Sequence, residues 1–228
     1  METLGARLEQ FIAACNATAY TEPPDNLAFH AKITKDVWAK VKWAVLPAEG
    51  KNILDLGCAN GFAQKMFVND GFDPAGIVSL TCSEADARQC WADNPNIQNV
   101  TVLDMHRIGE LSRGPDPDPN ALVHCYLSCV FDLVWARHVL EHSPIPLFLL
   151  QEIRQVLTPG TGKLYIEVPA PDTACRHTTN VNHFSCFGRE GWDGLIDKAG
   201  FTPIETFDIE VKVPAGDDRY YCWLLGLK

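Results

Sequence analysis

The sequence lacks any apolar run long enough to cross a bilayer. No stretch approaches the roughly 20 apolar residues that a membrane-spanning helix needs. The opening segment METLGARLEQ also lacks the basic-then-apolar order of a secretion signal. We therefore expect a cytoplasmic protein that has no membrane partner.

Positive charge is scarce as well. The chain has 19 basic and 29 acidic residues, which gives a formal net charge of -10. Because such a surface repels phosphate backbones, the composition disfavours nucleic acid as a partner. The hydrophobic content is 46% in 228 residues, which is enough for a sizeable core, and we expect one domain with additions.

Closely paired cysteines are missing. The nine cysteines are an odd number and are scattered along the chain. Several fall inside apolar segments predicted to be strands or helices: Cys58, Cys90, Cys129 and Cys222. We therefore expect reduced thiols. Neither Cys125 with Cys129 nor Cys175 with Cys186 forms a CxxC pair, so the sequence predicts no structural zinc site.

Strand-like and helix-like segments alternate through most of the chain. Residues 1–50 are predicted to be a helical cap, in which apolar residues recur four apart as a packing face: Ile33, Val37, Val41 and Val45. Short apolar strands then alternate with helices near 61–69, 83–92, 106–112 and 144–157. Such alternation implies parallel strands joined by right-handed crossovers. Segment 112–125 interrupts it with three prolines and is interpreted as a surface insertion.

The pattern changes after Gly200, where two strand-like runs are separated only by a short PAGDD turn. These runs predict a terminal antiparallel hairpin. The expected fold class is therefore α/β, a doubly wound Rossmann-like sheet of about seven strands, mostly parallel with a C-terminal antiparallel hairpin.

A glycine-containing turn, DLGCANG, follows the first predicted strand. Asp55 ends the strand, and Gly57 and Gly61 allow the backbone to bend sharply and approach a ligand closely. A dinucleotide site would need G-x-G-x-x-G, whereas this turn has only two glycines, spaced G-x-x-x-G. The turn therefore predicts a small-ligand site and disfavours a nicotinamide-dependent oxidoreductase.

At this turn the chain resembles the class I S-adenosylmethionine-dependent methyltransferases, particularly the small-molecule enzymes that carry D-x-G-x-G-x-G. The resemblance covers residues 50–228, and the middle glycine of the family pattern is Ala59 here. It implies S-adenosylmethionine as the cofactor. The residues that the resemblance places at the methionine end of the cofactor are Asp55, Gly57, Cys58, Ala59 and Gly61.

Two further strands bear on this resemblance. VTVLDMHR is similar to the family's third strand, which implies that Asp104 accepts a hydrogen bond from the adenine amino group and that Met105 packs near the ring. The second strand departs from the family, because Thr81 stands where an acid normally holds the ribose hydroxyls. The missing charge-assisted bond is worth about 1.5–3 kcal/mol. Glu84 is the expected substitute.

The segment FDLVWARHVLEHSP contains the fourth predicted strand, FDLVWA, and the residues just after that strand hold the most chemistry. The resemblance places Ala136 and Arg137 beside the cofactor and the HVLEH run beside the methyl group. His138 and His142 are the catalytic candidates, since a histidine near neutral pKa can remove a proton from an acceptor hydroxyl.

Other interpretations of this segment stay open. H-x-x-E-H is also the inverted metalloprotease signature, but Pro144 and Pro146 interrupt the long helix that it requires. Some relatives that methylate quinol precursors bind a divalent metal through an acidic residue at the position of His138, followed by the same E-H pair. The histidines would otherwise only satisfy hydrogen bonds at a strand end. We predict no metal at the site.

The predicted function is methyl transfer by in-line displacement to a small-molecule, sugar or lipid-precursor acceptor. Because the sulfonium is already activated, positioning supplies most of the catalysis, roughly 7–11 kcal/mol. Asn182, His183 and Phe184 are expected to face the acceptor pocket. The alternative is a non-catalytic methyltransferase-fold binding or scaffold protein, motivated by the missing acid of the second strand.

Overall fold

The computed structural model describes residues 3–16, 24–93, 95, 99–112 and 130–228. The insertion predicted at 112–125 lies outside the described residues, apart from Ser112. Among the described helices, none combines the length and the apolarity that a bilayer crossing requires.

Seven strands form one sheet. In chain order they are β1 Ile53–Leu56, β2 Ile77–Thr81, β3 Val100–Val102, β4 Leu133–Arg137, β5 Lys163–Pro169, β6 Phe201–Val213 and β7 Gly216–Leu227. Their order across the sheet is β3-β2-β1-β4-β5-β7-β6. The first five strands pair in parallel, and β7 runs antiparallel between β5 and β6. The predicted doubly wound sheet with its C-terminal hairpin is confirmed.

Six α-helices are described. They are α1 Leu4–Asn16, α2 Pro24–Val41, α3 Phe62–Asn69, α4 Glu84–Asp93, α5 Pro146–Val156 and α6 Arg189–Lys198. The helices that the sequence places near 61–69, 83–92 and 144–157 are α3, α4 and α5. The short helix expected near 106–112 is a 3-10 helix, Met105–Ser112, and a second one, Leu140–His142, follows β4.

Helices cover both faces of the sheet. On one face, the predicted stripe of the N-terminal segment is buried, and Trp38 of α2 packs edge-on against Trp135 of β4 at 5.7 Å between ring centroids. On the other face, Leu149 and Ile153 of α5 and Trp192 of α6 are fully buried. The N-terminal segment therefore shares a core with the sheet, and the domain boundary placed at residue 50 stays a prediction.

The chain order creates a crevice beside β1. From β1 the chain passes to β2 and then β3 on one side, and it returns to β4 and then β5 on the other. Ligands of open α/β sheets bind where the strand order reverses, outside the carboxyl ends of the strands. Leu56 ends β1 next to Leu80 of β2 and Ala136 of β4, and the candidate site begins there.

Candidate functional site

A cavity of about 400 Å³ opens at the carboxyl ends of β1, β2 and β4. This volume lies within the range of small-ligand pockets, about 300–1,000 Å³. Nine of the predicted site residues line it: Asp55, Gly57, Cys58, Ala59, Thr81, Met105, Arg137, His138 and His142. The other four predicted cofactor-binding residues do not line it: Gly61, Glu84, Asp104 and Ala136.

The glycine turn wraps one end of this cavity. Gly57, Ala59 and Gly61 all have left-handed backbones, with φ of 75°, 44° and 77°. A Cβ atom added to Gly57 would lie 2.5 Å from Cγ2 of Val139, which is far inside van der Waals contact. The turn is fixed to β2 because the Gly57 and Cys58 amides both donate to the carbonyl of Leu80, each at 2.9 Å. A bare backbone therefore lines this end of the cavity.

Asp55 forms the floor beneath the turn. Its side chain is buried, and its Oδ2 atom has no hydrogen-bond partner among the described residues. Burial, with Cys90 nearby, raises the pKa of Asp55 to about 8. The free carboxyl is therefore largely protonated at neutral pH, and a bound cation would favour its ionised form, whose buried oxygen needs an external donor. The cationic amino group of S-adenosylmethionine fits this requirement, and the bare turn above it fits the methionine end of that cofactor.

The ribose side of the cavity differs from the sequence expectation. Thr81 ends β2 as predicted, and its Oγ1 accepts a hydrogen bond from the Ser83 amide at 3.1 Å. Glu84 instead points away, since it is exposed and pairs with Arg88 at 3.1 Å. Asp86, two residues further along α4, lines the cavity and supplies the carboxylate there. The sequence did not single out Asp86 as a site residue.

The side of the cavity next to β3, where the resemblance places the adenine, carries a series of hydrogen bonds that sequence reasoning missed. Oδ1 of Asp104, directly after Leu103 and β3, accepts from both the amide and the ring Nδ1 of His106, each at 2.8 Å. The ring Nε2 of His106 lies 2.7 Å from Oγ of Ser143. His106 and Ser143 are buried, while Leu103 and Met105 contact the cavity on either side of Asp104. These hydrogen bonds thus connect the end of β3 to the segment after β4.

Arg137 ends β4 and is held by a buried ion pair. Its Nε and Nη2 atoms donate to the two carboxylate oxygens of Glu167 at 2.8 and 2.5 Å, and it also donates to Thr34 of α2. Tyr165 donates to the same carboxylate at 3.0 Å. Burial opposes ionisation of Glu167, but Arg137 and His138 outweigh it and hold the pKa of Glu167 far below its ordinary value. Arg137 touches the cavity while its charge is already paired.

Replacing Glu167 with Gln is expected to destabilise the fold by about 3–5 kcal/mol, because the buried guanidinium of Arg137 loses its counter-charge. Glu205→Gln is the matched control. It removes the same charge from a partly exposed pair with Lys40 at 3.6 Å, and it should cost less than about 1 kcal/mol. Urea unfolding of the two variants makes the comparison, and equal losses would contradict this account of the pair.

His138 lies between two buried carboxylates. Its Nδ1 is 3.2 Å from Oε1 of Glu141, and its Nε2 is 3.0 Å from Oε1 of Glu167, off the line of a good hydrogen bond. Burial alone would lower the pKa of His138, but Glu141 and Glu167 outweigh it and raise the pKa to about 9. The ring is therefore an imidazolium at neutral pH. Since an imidazolium cannot accept a proton, its surroundings disfavour His138 as a general base.

Whereas His138 contacts carboxylates, His142 makes its hydrogen bond to the backbone. Its Nδ1 lies 2.8 Å from the backbone carbonyl oxygen of Asn182. Because a carbonyl oxygen only accepts, Nδ1 carries the hydrogen, and in the neutral ring Nε2 holds the lone pair. His142, Asn182 and Phe184 all line the cavity. In this tautomer, Nε2 is the nitrogen that can accept a proton.

His183 packs beside His142 instead of lining the cavity. The two rings meet edge-on at 4.9 Å, and burial lowers the pKa of His183 to about 4. Glu141, His142 and His183 each place one possible metal-ligating atom within 4.8 Å of the other two. In the described residues, Oε2 of Glu141 and Nδ1 of His183 have no hydrogen-bond partner. The cluster leaves open the metal interpretation of the E-H pair.

His138 is expected to titrate at a much higher pH than two neighbouring histidines, His30 and His183. His30 of α2 contacts His138 edge-on at 5.2 Å, and burial lowers the pKa of His30 to about 4. Nitrogen-15 spectra of labelled histidine should therefore show His30 and His183 neutral above about pH 5 and His138 charged until about pH 9. Assignment uses one His→Gln variant for each. A His138 ring that titrates between pH 6 and 7 would contradict the ion-pair geometry.

The raised pKa of His138 also fixes the sign of its effect on stability. A group whose pKa is higher in the folded than in the unfolded protein stabilises the fold fully below its unfolded pKa, about 6.5 for histidine. This contribution is lost as the pH rises through about 9. His138→Gln should therefore cost more free energy of unfolding at pH 6 than at pH 9.5, and a cost independent of pH would contradict this assignment.

Comparisons with known proteins agree with this geometry. Residues 30–206 match the family model described as a methyltransferase domain. Among curated proteins, the chain is 23% identical over 186 residues to tRNA U34 carboxymethyltransferase of Haemophilus influenzae. That alignment covers 75% of this chain and 51% of the relative, so the chain spans about half the length of the curated relatives it matches.

Solved structures share the fold at low sequence identity. A protein provisionally assigned as a sarcosine dimethylglycine methyltransferase, from Galdieria sulphuraria, superposes with a TM-score of 0.63 at 17% identity, over 96% of this chain and 97% of the other. The 1,6-didemethyltoxoflavin-N1-methyltransferase of Burkholderia thailandensis, solved with S-adenosylhomocysteine, gives 0.55 at 16% identity and covers 92% of both chains. The family model spans most of this chain. The chain therefore belongs to the methyltransferase domain family, and it shares the fold of S-adenosylmethionine-dependent methyltransferases.

Proposed function

We propose that this methyltransferase modifies a small polar acceptor and that His142 is its general base. The observation that carries the proposal is the hydrogen bond from Nδ1 of His142 to the Asn182 carbonyl, which leaves a proton-accepting nitrogen on a cavity-lining ring. Asn182 and Phe184 line the same end of the cavity and would contact the acceptor. His138, held as an imidazolium, positions Glu141 and Glu167 and takes no proton.

The cofactor would lie along the strand ends from β1 to β3. The proposed contacts are Asp55 for the amino group, the turn of Gly57, Cys58, Ala59 and Gly61 for the methionine end, Thr81 and Asp86 for the ribose, and Asp104 with Met105 for the adenine. Bound S-adenosylmethionine supplies a methyl carbon on a positively charged sulfur. The turn and Asp55 would position the methionine end of the cofactor. The hydrogen bonds of His106 hold the carboxylate of Asp104 in place.

His142 then acts on the acceptor side. Nε2 would take the proton of an acceptor hydroxyl or amine, and the bound cofactor would supply the methyl group to that oxygen or nitrogen and leave as its demethylated product. Such proton removal contributes about 10²–10⁴-fold. In-line alignment contributes more, and the walls that Asn182 and Phe184 form would supply it.

The charge and size of the site favour a small acceptor over a nucleic acid. With a net charge of -10, the chain offers little of the basic surface that binds phosphate backbones. A cavity of about 400 Å³ that also has to hold the cofactor favours a compact acceptor over a bulky one. Curated relatives that act on tRNA are matched over only half of their length, so their acceptor does not carry over to this chain directly.

Methyl-labelled S-adenosylmethionine tests the acceptor class. The purified protein is incubated with the label and with either the small-metabolite fraction of a cell extract or total tRNA. Label in the small-molecule products, dependent on an intact Gly57, supports the proposal. Label that enters only the tRNA overturns it. Label in neither fraction, from a protein that binds the cofactor, would favour the scaffold alternative.

A further inference from the structure

Three side chains of metal-binding type converge away from the methyl-transfer cavity. Cys175 and His177 lie on the loop between β5 and α6, and Asp218 lies near the start of β7. One possible ligand atom of each lies within 4.8 Å of the other two. None of the three lines the cavity, and the cluster shares no residue with Glu141, His142 and His183.

The distances within the cluster are close to those of a coordination shell. Nε2 of His177 lies 3.0 and 3.1 Å from the two carboxylate oxygens of Asp218. At ordinary bond lengths, two ligands of a tetrahedral zinc ion lie about 3.3 Å apart for nitrogen and oxygen and about 3.6 Å apart for sulfur and nitrogen. The separation of His177 and Asp218 is close to the value for nitrogen and oxygen, and Sγ of Cys175, which lies within 4.8 Å of both, would move closer to bind the ion.

The backbone already holds both sides of the cluster together. The Ala174 amide donates to the carbonyl of Asp217 at 3.1 Å, which fastens the loop to the start of β7. Asp218 is only 4% exposed and accepts a further hydrogen bond from the Arg219 amide at 2.9 Å. Cys175 and His177 are half-buried, so an ion can reach them from solvent. The site is preorganised and accessible, as a metal site must be.

We propose that Cys175, His177 and Asp218 bind a transition-metal ion of the zinc class through one sulfur, one nitrogen and one oxygen, with the fourth position open to solvent. A thiolate with an imidazole favours zinc over the hard cations Mg²⁺ and Ca²⁺, which require oxygen ligands. Binding replaces the thiol proton of Cys175, which passes to solvent. This site departs from the expectation of no metal, because Asp218 lies in a strand far along the chain from the two loop ligands.

The ion would fasten the loop that reaches the cavity. That loop also carries Asn182 and Phe184, which line the cavity. The ring of His177 stacks on His183 at 5.6 Å, and His183 meets His142 edge-on at 4.9 Å. Metal binding is therefore expected to order the acceptor side of the cavity without contacting the cofactor.

Cobalt titration of the reduced, chelator-treated protein tests the site without any methyl acceptor. One equivalent of Co²⁺ should produce the near-ultraviolet charge-transfer band of a cobalt thiolate, and Zn²⁺ should remove it. Cys175→Ser should abolish the band, and His177→Gln and Asp218→Asn should each weaken Co²⁺ binding at least tenfold. Cys186→Ser, another half-buried thiol on the same loop, is the matched control and should keep the full band.

Two results would overturn the proposal. One is a wild-type protein that gives no thiolate band, and the other is a band that survives in Cys175→Ser. Circular dichroism melting of each variant without metal shows that it is folded. Co²⁺ binding that lacks a thiolate band and is lost in Glu141→Gln or His183→Ala would place the ion in the other cluster and would also count against the proposal.

Discussion

Gly57→Val is expected to abolish binding of S-adenosylmethionine and of its demethylated product. The Cβ of any side chain at this position would lie 2.5 Å from Val139, and the φ of 75° strains a β-branched residue further. To avoid this contact, either the turn or Val139 must shift, and both line the cavity. The loss should exceed a hundredfold in affinity, because the turn forms one end of the cavity.

Gly50→Val is the matched control. Gly50 also has a left-handed backbone, with φ of 68°, but a Cβ there would meet no atom of the described residues within 4 Å. Both variants therefore carry the backbone strain, and only one changes the cavity. Thermal shift with S-adenosylhomocysteine compares them, since saturation a hundredfold above Kd stabilises a protein by about 2.7 kcal/mol. The wild type and Gly50→Val should shift by several degrees and Gly57→Val by none. Equal shifts in the two variants would contradict the assignment of the turn.

His142→Ala is expected to lower the rate of methyl transfer by about 10²–10⁴-fold and to leave cofactor affinity unchanged. The reason is that Nδ1 of this ring donates its hydrogen to the Asn182 carbonyl, so Nε2 carries the lone pair that can accept a proton. Removing the ring removes the base, while the cofactor contacts on β1, β2 and β3 stay in place. The measurement is the rate of S-adenosylhomocysteine formation with the acceptor found by labelling, beside the calorimetric affinity for the cofactor.

Added imidazole distinguishes a base from a packing residue at this position. A free imidazole can enter the space left by His142→Ala and accept the proton, so it should restore part of the rate. A merely structural defect would not respond. A rate within a factor of about three of the wild type would exclude His142 as the base, because positioned bases contribute at least about a hundredfold.

The sequence predicts the architecture well because the signals for it are local. The alternation of apolar strands and helices is visible over short windows, and the stripe from Ile33 to Val45 indicates which side of the N-terminal segment packs inward. The length of β6 is less local. It runs for 13 residues along the sheet edge, with a register shift between Pro203 and Glu205, and its pairing with β7 sets that length.

The site is predicted less completely because its chemistry depends on distant partners. The turn at Gly57 and the strand end at Thr81 follow from the sequence. Glu84 and Asp86, two residues apart, face different directions only because of the helical register of α4. His138 and His142 look equivalent in HVLEH, yet Glu167, on a neighbouring strand, makes one of them an imidazolium.

Calorimetric titration of the wild-type protein with S-adenosylmethionine, and then with S-adenosylhomocysteine, tests the central assignment of the cavity most directly. The geometry of the Gly57 turn and the unpartnered oxygen of Asp55 predict one site for each ligand, with mutual competition and with loss of both in Gly57→Val. No heat with either ligand, while the folded protein is confirmed by its cooperative melting, would contradict the account.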